Sequence, residues 1–261
     1  GEHYSKKELG KDMYQFFIED ENAAEDFVTI EGSDVNHIKN VLRMRPGEKI
    51  RVCTRNGQNY FCSISDITES FVRADILEKE AESTELPCRI YLFQGLPKND
   101  KMEWIIQKTV ELGVYEVIPV AMKNCVVKLD DKKAKSKVMR WQAIAESAAK
   151  QSKRSLIPEV KMPMSYKEAV AYAKELDVKL VPYENEHGMA GTKAAMEQIK
   201  KGESIAVFIG PEGGFAPEEI ALVQDEMQLI SLGKRILRTE TAGIAALAIL
   251  GYQLESSDMI E

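Results

Sequence analysis

The sequence predicts an α/β protein in which a parallel sheet with helices on both faces is preceded by a small β domain. Two observations carry this prediction. Residues 13–85 alternate apolar and polar side chains in short runs, whereas from residue 86 onward strand-like runs alternate with helical patterns. The second rhythm is typical of parallel sheets covered by helices. We therefore expect a β domain at 13–85 and an α/β domain at 86–261.

Composition places the chain among soluble globular proteins. Of its 261 residues, 44% are hydrophobic and 30% are charged, which is ordinary for a packed domain. No apolar run reaches the roughly 18 residues of a membrane helix, and the first residues lack the apolar core of a signal peptide. We expect a cytoplasmic protein with no membrane partner, and we expect residues 1–12 to be an expression tag or a disordered extension.

Cysteine and histidine usage predicts no metal site. The four cysteines form no C-x-x-C pair, and the three histidines are scattered at positions 3, 37 and 187. Zinc sites need several such ligands at short spacing. Reduced thiols in a cytoplasmic protein are the ordinary interpretation.

Charge is unevenly distributed along the chain. The net charge is −7, yet the stretch from Pro97 to Arg154 holds thirteen basic and seven acidic side chains. A local excess of positive charge suits contact with phosphates. The segment "DDKKAKSKVMRW" is unusually rich in lysine, which fits either RNA contact or an ordinary solvated surface.

The sequence of the first domain predicts several short strands and one helix. "EKIRVCT", "QNYFCSISDI" and "FVRADILEK" show period-two patterns, which favour a small barrel or sandwich. "SDVNHIKNVL" interrupts them, with Ser33 or Asp34 able to cap a helix. That helix would carry on one face Val35, Ile38, Val41 and Leu42.

The second domain alternates regularly. The strand "RIYLFQG" precedes the helix "NDKMEWIIQKTVELGV"; "EVIPVA" is followed by "KVMRWQAIAESAAKQS" and "SYKEAVAYAKEL". The strands "VKLVPYE", "SIAVFIG" and "LISLG" come next, with a helix from Pro217 between the last two and a final helix through "AGIAALAILGYQL". Proline at the start of a helix, followed by acidic residues, suits its first turn.

Two glycine-bearing turns follow strands of this domain. "GPEGG" at 210–214 comes after "SIAVFI", and "GKR" at 233–235 comes after "LISL". Ligands of open α/β sheets bind beyond the carboxyl ends of strands, and glycine lets a ligand approach the backbone. The G-x-G-x-x-G and P-loop spacings are absent, and three glutamates near the first turn disfavour phosphate. A cationic ligand such as S-adenosylmethionine fits, and so does a plain tight turn.

Five stretches together resemble one family. "IGPEGGF" and "LGKRILRTETAGIAAL", with "HIKNVLRMRPGE", "LPKNDKMEWIIQKTVELGV" and "AAKQSKRSLIPEV", look like the SPOUT class of RNA methyltransferases. More narrowly, they resemble the family that methylates uridine N3 in 16S ribosomal RNA of the small subunit. The resemblance implies a PUA-like β-barrel domain, a SPOUT domain with a deep trefoil knot, and a homodimer.

The resemblance also implies the cofactor and its site. S-adenosylmethionine is expected to bind the two turns and a neighbouring strand end, through Pro182, Gly210, Glu212, Gly213, Gly214, Leu232, Gly233, Ile236, Leu237, Thr239 and Ala242. Leu232 and Leu237 would enclose the adenine, although both also suit an ordinary core. Glu212 would either face the sulfonium or hold the loop through backbone N–H groups.

Uridine N3 must lose a proton before it can accept a methyl group, so the site needs a proton acceptor and a group that stabilises negative charge. Glu240 could accept the proton, or it could serve as a capping carboxylate at the start of a helix. Arg238 suits an oxyanion or a phosphate. Arg154 matches a family position associated with RNA binding or catalysis.

RNA binding is predicted at basic residues of both domains: Arg43, Arg45, Lys98, Lys101, Lys150, Lys153 and Arg154. The target uridine would be unpaired or flipped out of its stack. Two alternatives stay open at this point: a SPOUT methyltransferase acting on another RNA such as transfer RNA, and a non-catalytic dimeric RNA-binding protein.

Overall fold

A computed structural model describes residues 13–80, 83–183 and 188–257. The predicted tag or extension at 1–12 lies outside the described residues. The chain forms two compact units, the first comprising 1–85 with 153–157, the second 86–152 with 158–261. In the described part of the chain, no helix combines the length and apolarity needed to cross a membrane.

A five-stranded sheet forms the first unit. Its strands are β1 (Gln15–Ile18), β2 (Phe27–Ile30), β3 (Lys49–Thr54), β4 (Asn59–Ile67) and β5 (Val72–Lys79), in the order β1-β3-β4-β5-β2. Only the β1–β3 pair is parallel among these pairings. The edge strands β1 and β2 contact each other, and β4 is irregular at two places. The sheet therefore curls towards a barrel, as the period-two patterns predict.

The core of the first unit lies on the concave side of this curled sheet. Ile50, Val52, Ile64 and Val72 come from three strands and are fully or almost fully buried. A short 3-10 turn, Asp20–Asn22, connects β1 to β2. The unit packs its apolar side chains at alternate strand positions, which is the arrangement that the period-two patterns require.

The helix of the first unit differs from its prediction in one respect. α1 (Ser33–Asn36) continues as a π-helical segment, His37–Val41, closed by a hydrogen bond from Leu42 N to His37 O at 2.8 Å. Val35 and Ile38 are buried, but Val41 is 60% exposed. The prediction that Val41 shares the buried face is wrong because the wider π turn rotates it away from the core.

A parallel sheet forms the second unit. Its strands are β6 (Arg89–Gly95), β7 (Glu116–Ala121), β8 (Glu159–Val160), β9 (Met164–Ser165), β10 (Val178–Pro182), β11 (Ser204–Ile209) and β12 (Gln228–Ile230). The order is β12-β10-β11-β6-β7-β8, with β9 also paired to β7. All these pairings are parallel, so the predicted architecture is confirmed.

Helices connect the strands of the second unit. They are α2 (Lys101–Glu111), α3 (Asp131–Gln151), α4 (Tyr166–Ala173), α5 (Gly188–Glu197), α6 (Pro217–Val223) and α7 (Thr239–Ser256). Every residue of β11 is buried, as expected for a central strand of a parallel sheet. The rings of Phe93 and Phe208 stack in the core with centroids 4.4 Å apart.

The order of the strands determines where a ligand can bind. From β6 the chain moves outward through β7 and β8, then returns to the other side to form β10, β11 and β12. The direction of winding thus reverses between β6 and β11. Open sheets of this kind bind ligands beyond the carboxyl ends of the strands at such a switch. The glycine turn at 210–214 follows β11, at this position.

Candidate functional site

A cavity of about 820 Å³ opens at the carboxyl ends of β10, β11 and β12. Its volume is within the range of small-molecule sites. Its walls come from the first residue of α2, from the ends of β10, β11 and β12 with the loops that follow them, and from the start of α7: Lys101, Pro182, Tyr183, Ile209, Gly210, Pro211, Glu212, Gly214, Phe215, Ile230, Ser231, Leu232, Gly233, Arg235, Ile236, Leu237, Arg238, Thr239 and Ala242. Ten of the eleven residues predicted for the cofactor are in this set, Gly213 being the exception.

The first turn is compact because its glycines allow backbone to approach backbone. A Cβ on Gly210 would lie 3.2 Å from Gly214 C and Phe215 N, and a Cβ on Gly95 would lie 2.7 Å from Pro211. Gly214 N donates to Pro211 O at 2.8 Å, and Gly214 has a positive φ of 72°. The turn is therefore closely packed and presents bare backbone groups, which can form hydrogen bonds with the edge of a flat ligand.

Gly213 faces away from the cavity. A Cβ at this position would lie 2.9 Å from Cβ and 3.0 Å from the carbonyl oxygen of Asn124. The Asn124 side-chain amide donates to Gly213 O at 3.2 Å and Gly214 O at 3.3 Å. Gly213 thus lets the β7–α3 loop hold the turn from outside, which differs from the direct cofactor contact that the resemblance implies.

The second turn is fixed by hydroxyl groups. Thr192 Oγ1 donates to Ser231 O at 2.7 Å and accepts from Ser231 N at 2.9 Å. Ser231 Oγ accepts from Gly233 N at 3.1 Å, and Gly233 has a φ of 115°, a conformation that favours glycine. Leu232 and Leu237 are half-buried and line the cavity, so they are walls of the cavity rather than fully buried core residues.

Thr239 joins the first turn to α7. Its hydroxyl donates to Gly210 O at 2.6 Å and accepts from Gln94 Nε2 at 2.8 Å, and Gln94 Nε2 also donates to Gly95 O at 3.0 Å. Gln94 is fully buried at the end of β6. This residue is absent from the predicted site, although a lone amide in the apolar strand "RIYLFQG" is a signal for it.

Glu212 holds the first turn through hydrogen bonds. Its carboxylate accepts from Lys98 N at 2.9 Å and from Lys101 Nζ at 3.1 Å. Burial pushes the pKa of Glu212 upward, but the bonds from Lys98 N–H and the Lys101 ammonium outweigh it and leave the pKa below 4.5. Of the two predicted roles, holding the loop is the one that the geometry displays.

Glu240 is the second residue of α7 and lies next to this ion pair. Its Oε2 is 4.0 Å from Lys101 Nζ and is buried without a hydrogen-bond partner among the described residues. Buried polar atoms are normally satisfied, so a buried carboxylate oxygen that makes a long ion pair with Lys101 but no hydrogen bond is unusual. Glu240 itself is not among the residues that line the cavity, whereas its neighbours Arg238 and Thr239 are.

Four of the predicted basic residues belong to the second unit and four to the first. Arg238 and Lys101 line the cavity, together with Arg235, while Lys98 is exposed beside Glu212. Lys150 pairs with Glu146 at 2.9 Å on α3. The remaining four belong to the first unit: Arg43, Arg45, Lys153 and Arg154.

Arg154 does not line the cavity. Its side chain is 4% exposed, its guanidinium pairs with the Glu85 carboxylate, and its carbonyl accepts from the Gln15 side chain. Ser155 extends this network by accepting a 2.7 Å bond from Asn59 Nδ2. The segment 153–157 is therefore an integral part of the first unit, and the catalytic role of Arg154 stays a prediction.

Comparisons with known proteins agree with this geometry. The profile of the RNA methyltransferase domain matches residues 84–251, and that of the RNA methyltransferase PUA domain matches residues 30–77. The chain is 39% identical over 250 residues to ribosomal RNA small subunit methyltransferase E of Bacillus subtilis, covering 93% of this chain and 98% of that protein.

Two solved structures are also similar over most of the chain. Ribosomal RNA small subunit methyltransferase E from Neisseria gonorrhoeae, bound to S-adenosylmethionine, superposes with a TM-score of 0.75 at 32% identity, covering 91% of this chain and 96% of that one. A methyltransferase from Legionella pneumophila in complex with S-adenosylmethionine gives a TM-score of 0.74 at 30% identity, covering 92% and 97%.

Proposed function

The chain belongs to the RNA methyltransferase family of ribosomal RNA small subunit methyltransferase E, and from this premise we propose that it methylates N3 of a specific uridine in 16S ribosomal RNA. It is an S-adenosylmethionine-dependent enzyme with a PUA domain followed by an α/β domain of the SPOUT class. The trefoil knot stays a prediction.

The cavity suits S-adenosylmethionine. When bound, this cofactor supplies an electrophilic methyl group on a sulfonium centre. Gly210, Pro211 and Gly214 offer bare backbone on one side, and Leu232 and Leu237 offer an apolar wall for a flat ring on the other. Glu212 adds one negative charge to a wall that also contains the basic side chains of Lys101, Arg235 and Arg238, so the backbone and the apolar wall carry the recognition of the cofactor in this proposal.

One observation carries the proposal: the bond from Thr239 Oγ1 to Gly210 O. It ties the two turns into a single cleft, because the helix that Thr239 begins follows directly from the second turn. A scaffold without a ligand would not need two glycine turns held together in this way. Arg238 lines the cavity and Glu240 follows Thr239 in the chain, which supports a role for both in positioning the reacting base.

The residues of the α7 start supply the acid–base chemistry. Glu240 Oε2, which has no hydrogen-bond partner among the described residues, accepts the N3 proton of the uridine. Arg238, in the wall of the cavity, stabilises the negative charge that then spreads onto the ring oxygens. Lys101, whose ammonium lies 4.0 Å from Glu240 Oε2, holds this carboxylate in position.

Substrate binding involves both units. Arg43, Arg45 and Lys153 of the first unit and Lys98, Lys101 and Lys150 of the second supply phosphate contacts in this proposal. An unpaired or flipped-out uridine enters the cleft, since N3 lies on the edge used in base pairing. Ribosomal RNA as substrate also implies a cytoplasmic enzyme.

The enzyme acts as a homodimer in this proposal. Two helices that pack together, α2 and α7, expose large apolar side chains: Trp104 is 52% exposed and Tyr252 is 77% exposed. A second copy would cover them. Sedimentation of the wild type and of Tyr252→Glu tests this, with a monomeric variant expected and a wild-type monomer contradicting it.

Labelled-methyl transfer from S-adenosylmethionine tests the reaction itself. Small ribosomal subunits that lack the modification are the substrate, and the product is digested to identify the methylated nucleoside. We expect label in 3-methyluridine of 16S RNA, at one position that also blocks reverse transcription. Label confined to transfer RNA would reject the substrate, and label on another atom of the base would reject the N3 assignment.

A matched pair of variants tests the proton acceptor. Glu240→Gln should reduce kcat by about 10²-fold or more, the usual range of general-base contributions, with unchanged cofactor affinity. The control is Glu218→Gln, which alters a carboxylate on α6 that pairs with Lys123. This variant should remain fully active. A Glu240→Gln variant with normal kcat would return Glu240 to a structural role.

A further inference from the structure

The first half of α3 carries a lysine face that the proposed chemistry does not use. Lys132, Lys133 and Lys135 are exposed, and no acidic residue follows them until Glu146. Ala134 and Trp141 are buried on the opposite side of the helix. The three lysines, called the lysine face below, therefore point to solvent as a group.

This arrangement does not stabilise the helix. Lys132 and Lys135 are three residues apart, and Lys133 and Lys137 are four apart, so like charges lie next to each other on the helix surface. Lys132 and Lys133 also lie in the first turn, where the helix dipole disfavours positive charge. Asp131 stands four residues before Lys135, which is a favourable spacing. It offsets only part of the repulsion among the lysines, so helix stability does not account for the cluster.

Ion pairs with neighbouring residues do not offset the electrostatic repulsion within the lysine face. Elsewhere in the second unit, Lys108, Lys123 and Lys150 pair with glutamates. The lysine face forms no ion pair with the residues that the structure describes. Its neighbours on α3 differ: Arg140 pairs with Glu103 of α2, and Arg140 and Lys137 together lower the pKa of that carboxyl. The charge of the lysine face remains available to an external partner.

Helix α3, which carries the lysine face, begins beyond the carboxyl end of β7, and the cavity also opens on the carboxyl side of the sheet. Helix α3 begins seven residues after Asn124, which contacts the first glycine turn through Gly213 O and Gly214 O. Asp130, which caps α3, is six residues from Asn124, so at most about 20 Å separates them. Glu103, which holds Arg140, is two residues from Lys101 in the cavity wall. A polymer that enters the cavity can thus reach α3.

We propose that the lysine face is an additional RNA-docking surface, which binds backbone phosphates several nucleotides away from the target uridine. The inference rests on the proposed function, since it takes RNA as the substrate. The contact is electrostatic and independent of base identity. It increases affinity for the substrate without taking part in the chemical step.

Salt-dependent binding tests this inference with a matched pair of triple variants. The first is Lys132→Gln, Lys133→Gln and Lys135→Gln. The control is Lys174→Gln, Lys193→Gln and Lys200→Gln, which removes the same charge from exposed positions of the same unit. Binding of small ribosomal subunits and of protein-free 16S RNA is measured from about 50 to 200 mM salt, where phosphate contacts dominate the change in affinity.

The lysine-face variant should bind both probes about tenfold more weakly and show a salt slope smaller by about 2 to 3. Its KM should rise, whereas kcat and cofactor affinity should stay at wild-type values. Its thermal stability should equal or slightly exceed that of the wild type. Equal behaviour of the two variants would overturn the inference. A loss with subunits alone would also overturn it, in favour of a ribosomal protein as the contact. Failure of the wild type to methylate small-subunit RNA would instead reject the proposed function.

Discussion

The hydroxyl of Thr239 donates a 2.6 Å hydrogen bond to the carbonyl oxygen of Gly210, which makes the beginning of the last helix part of the glycine turn. The same hydroxyl accepts from the buried amide of Gln94. Three chain segments far apart in sequence therefore meet at one oxygen atom. The geometry of the cofactor cleft depends on this group.

Thr239→Val should weaken S-adenosylmethionine binding by about tenfold or more. Valine preserves the shape of threonine but leaves Gly210 O and Gln94 Nε2 without this partner, and a buried polar group left unsatisfied costs about 1–3 kcal/mol. Titration calorimetry with the cofactor measures the loss of affinity, and chemical denaturation measures the loss of stability.

Thr239→Ser is the matched control for this change. Serine keeps the hydroxyl and loses only a methyl group, so cofactor affinity should remain within about threefold of the wild type, a difference well below 1 kcal/mol. If serine and valine weakened binding equally, the methyl group rather than the hydrogen bond would be responsible.

Gly213→Ala should already impair cofactor binding, and Gly213→Val should abolish it. The added Cβ would lie 2.9 Å from Asn124 Cβ and 3.0 Å from the Asn124 carbonyl oxygen. Either the turn or the β7–α3 loop must then move, although neither side chain enters the cavity. Calorimetry with S-adenosylmethionine checks both variants.

The comparison of Gly213→Ala with Gly213→Val distinguishes two possible causes of the loss of cofactor binding. Displacement of the turn predicts a substantial effect from the first methyl group, whereas a side chain filling the cavity would spare alanine. Asn124→Ala is an informative companion, because it removes the two bonds to the turn without adding bulk. We expect it to weaken binding by a smaller factor, and wild-type affinity in both Asn124→Ala and Gly213→Ala would contradict the role given to this contact.

The sequence was sufficient for the architecture and for most of the cavity wall. Strand–helix alternation predicts the parallel sheet, and glycines directly after strands predict where a ligand approaches the backbone. Both are local signals, since each depends on neighbouring residues. The same holds for Arg238 and Thr239, which come immediately after the second turn and therefore share its position.

Contacts between segments far apart in the chain could not be predicted from such local signals. Gln94 supports the first turn from the end of β6, and Asn124 supports it from the β7–α3 loop. Their importance depends on which carbonyl groups the fold places beside them. Arg154 is a similar case, because its pairing with Glu85, 69 residues away, could not be predicted from the basic segment around it. Val41 shows that even a local pattern fails when the helix has a π turn.

The stability contributed by Glu212 should depend on pH in a defined direction. Its pKa in the folded protein lies below 4.5, because the bonds from Lys98 N–H and Lys101 outweigh the effect of burial. A lowered folded pKa means that the carboxylate stabilises the native state above its ordinary pKa. That contribution is lost as the pH falls through the folded value.

Urea unfolding of the wild type and of Glu212→Gln between about pH 3.5 and pH 7 measures this contribution. The difference in unfolding free energy should be constant near neutral pH and should shrink below pH 4.5, the ordinary value. Lys101→Met should retain part of the pH dependence, since the bond from Lys98 N–H remains. A difference that grew on acidification would contradict the assigned direction.

Arg154→Met should destabilise the first unit without changing cofactor binding. The side chain is 4% exposed and its partner Glu85 is 20% exposed, so the substitution leaves a largely buried carboxylate without its countercharge. Breaking a buried pair in this way costs roughly 3–5 kcal/mol. Chemical denaturation should therefore show an earlier transition of the first unit, while calorimetry with S-adenosylmethionine gives wild-type affinity, because the cavity is formed by residues of the second unit.

The double variant Arg154→Met with Glu85→Leu separates a structural role from a catalytic one. Replacing both partners of a buried pair by apolar side chains is often neutral, so the double variant should recover much of the lost stability. If Arg154 serves only to hold the segment 153–157 in place, methyl transfer should recover with it. Restored stability without restored kcat would show that the guanidinium takes part in the reaction, and would return Arg154 to the catalytic residues.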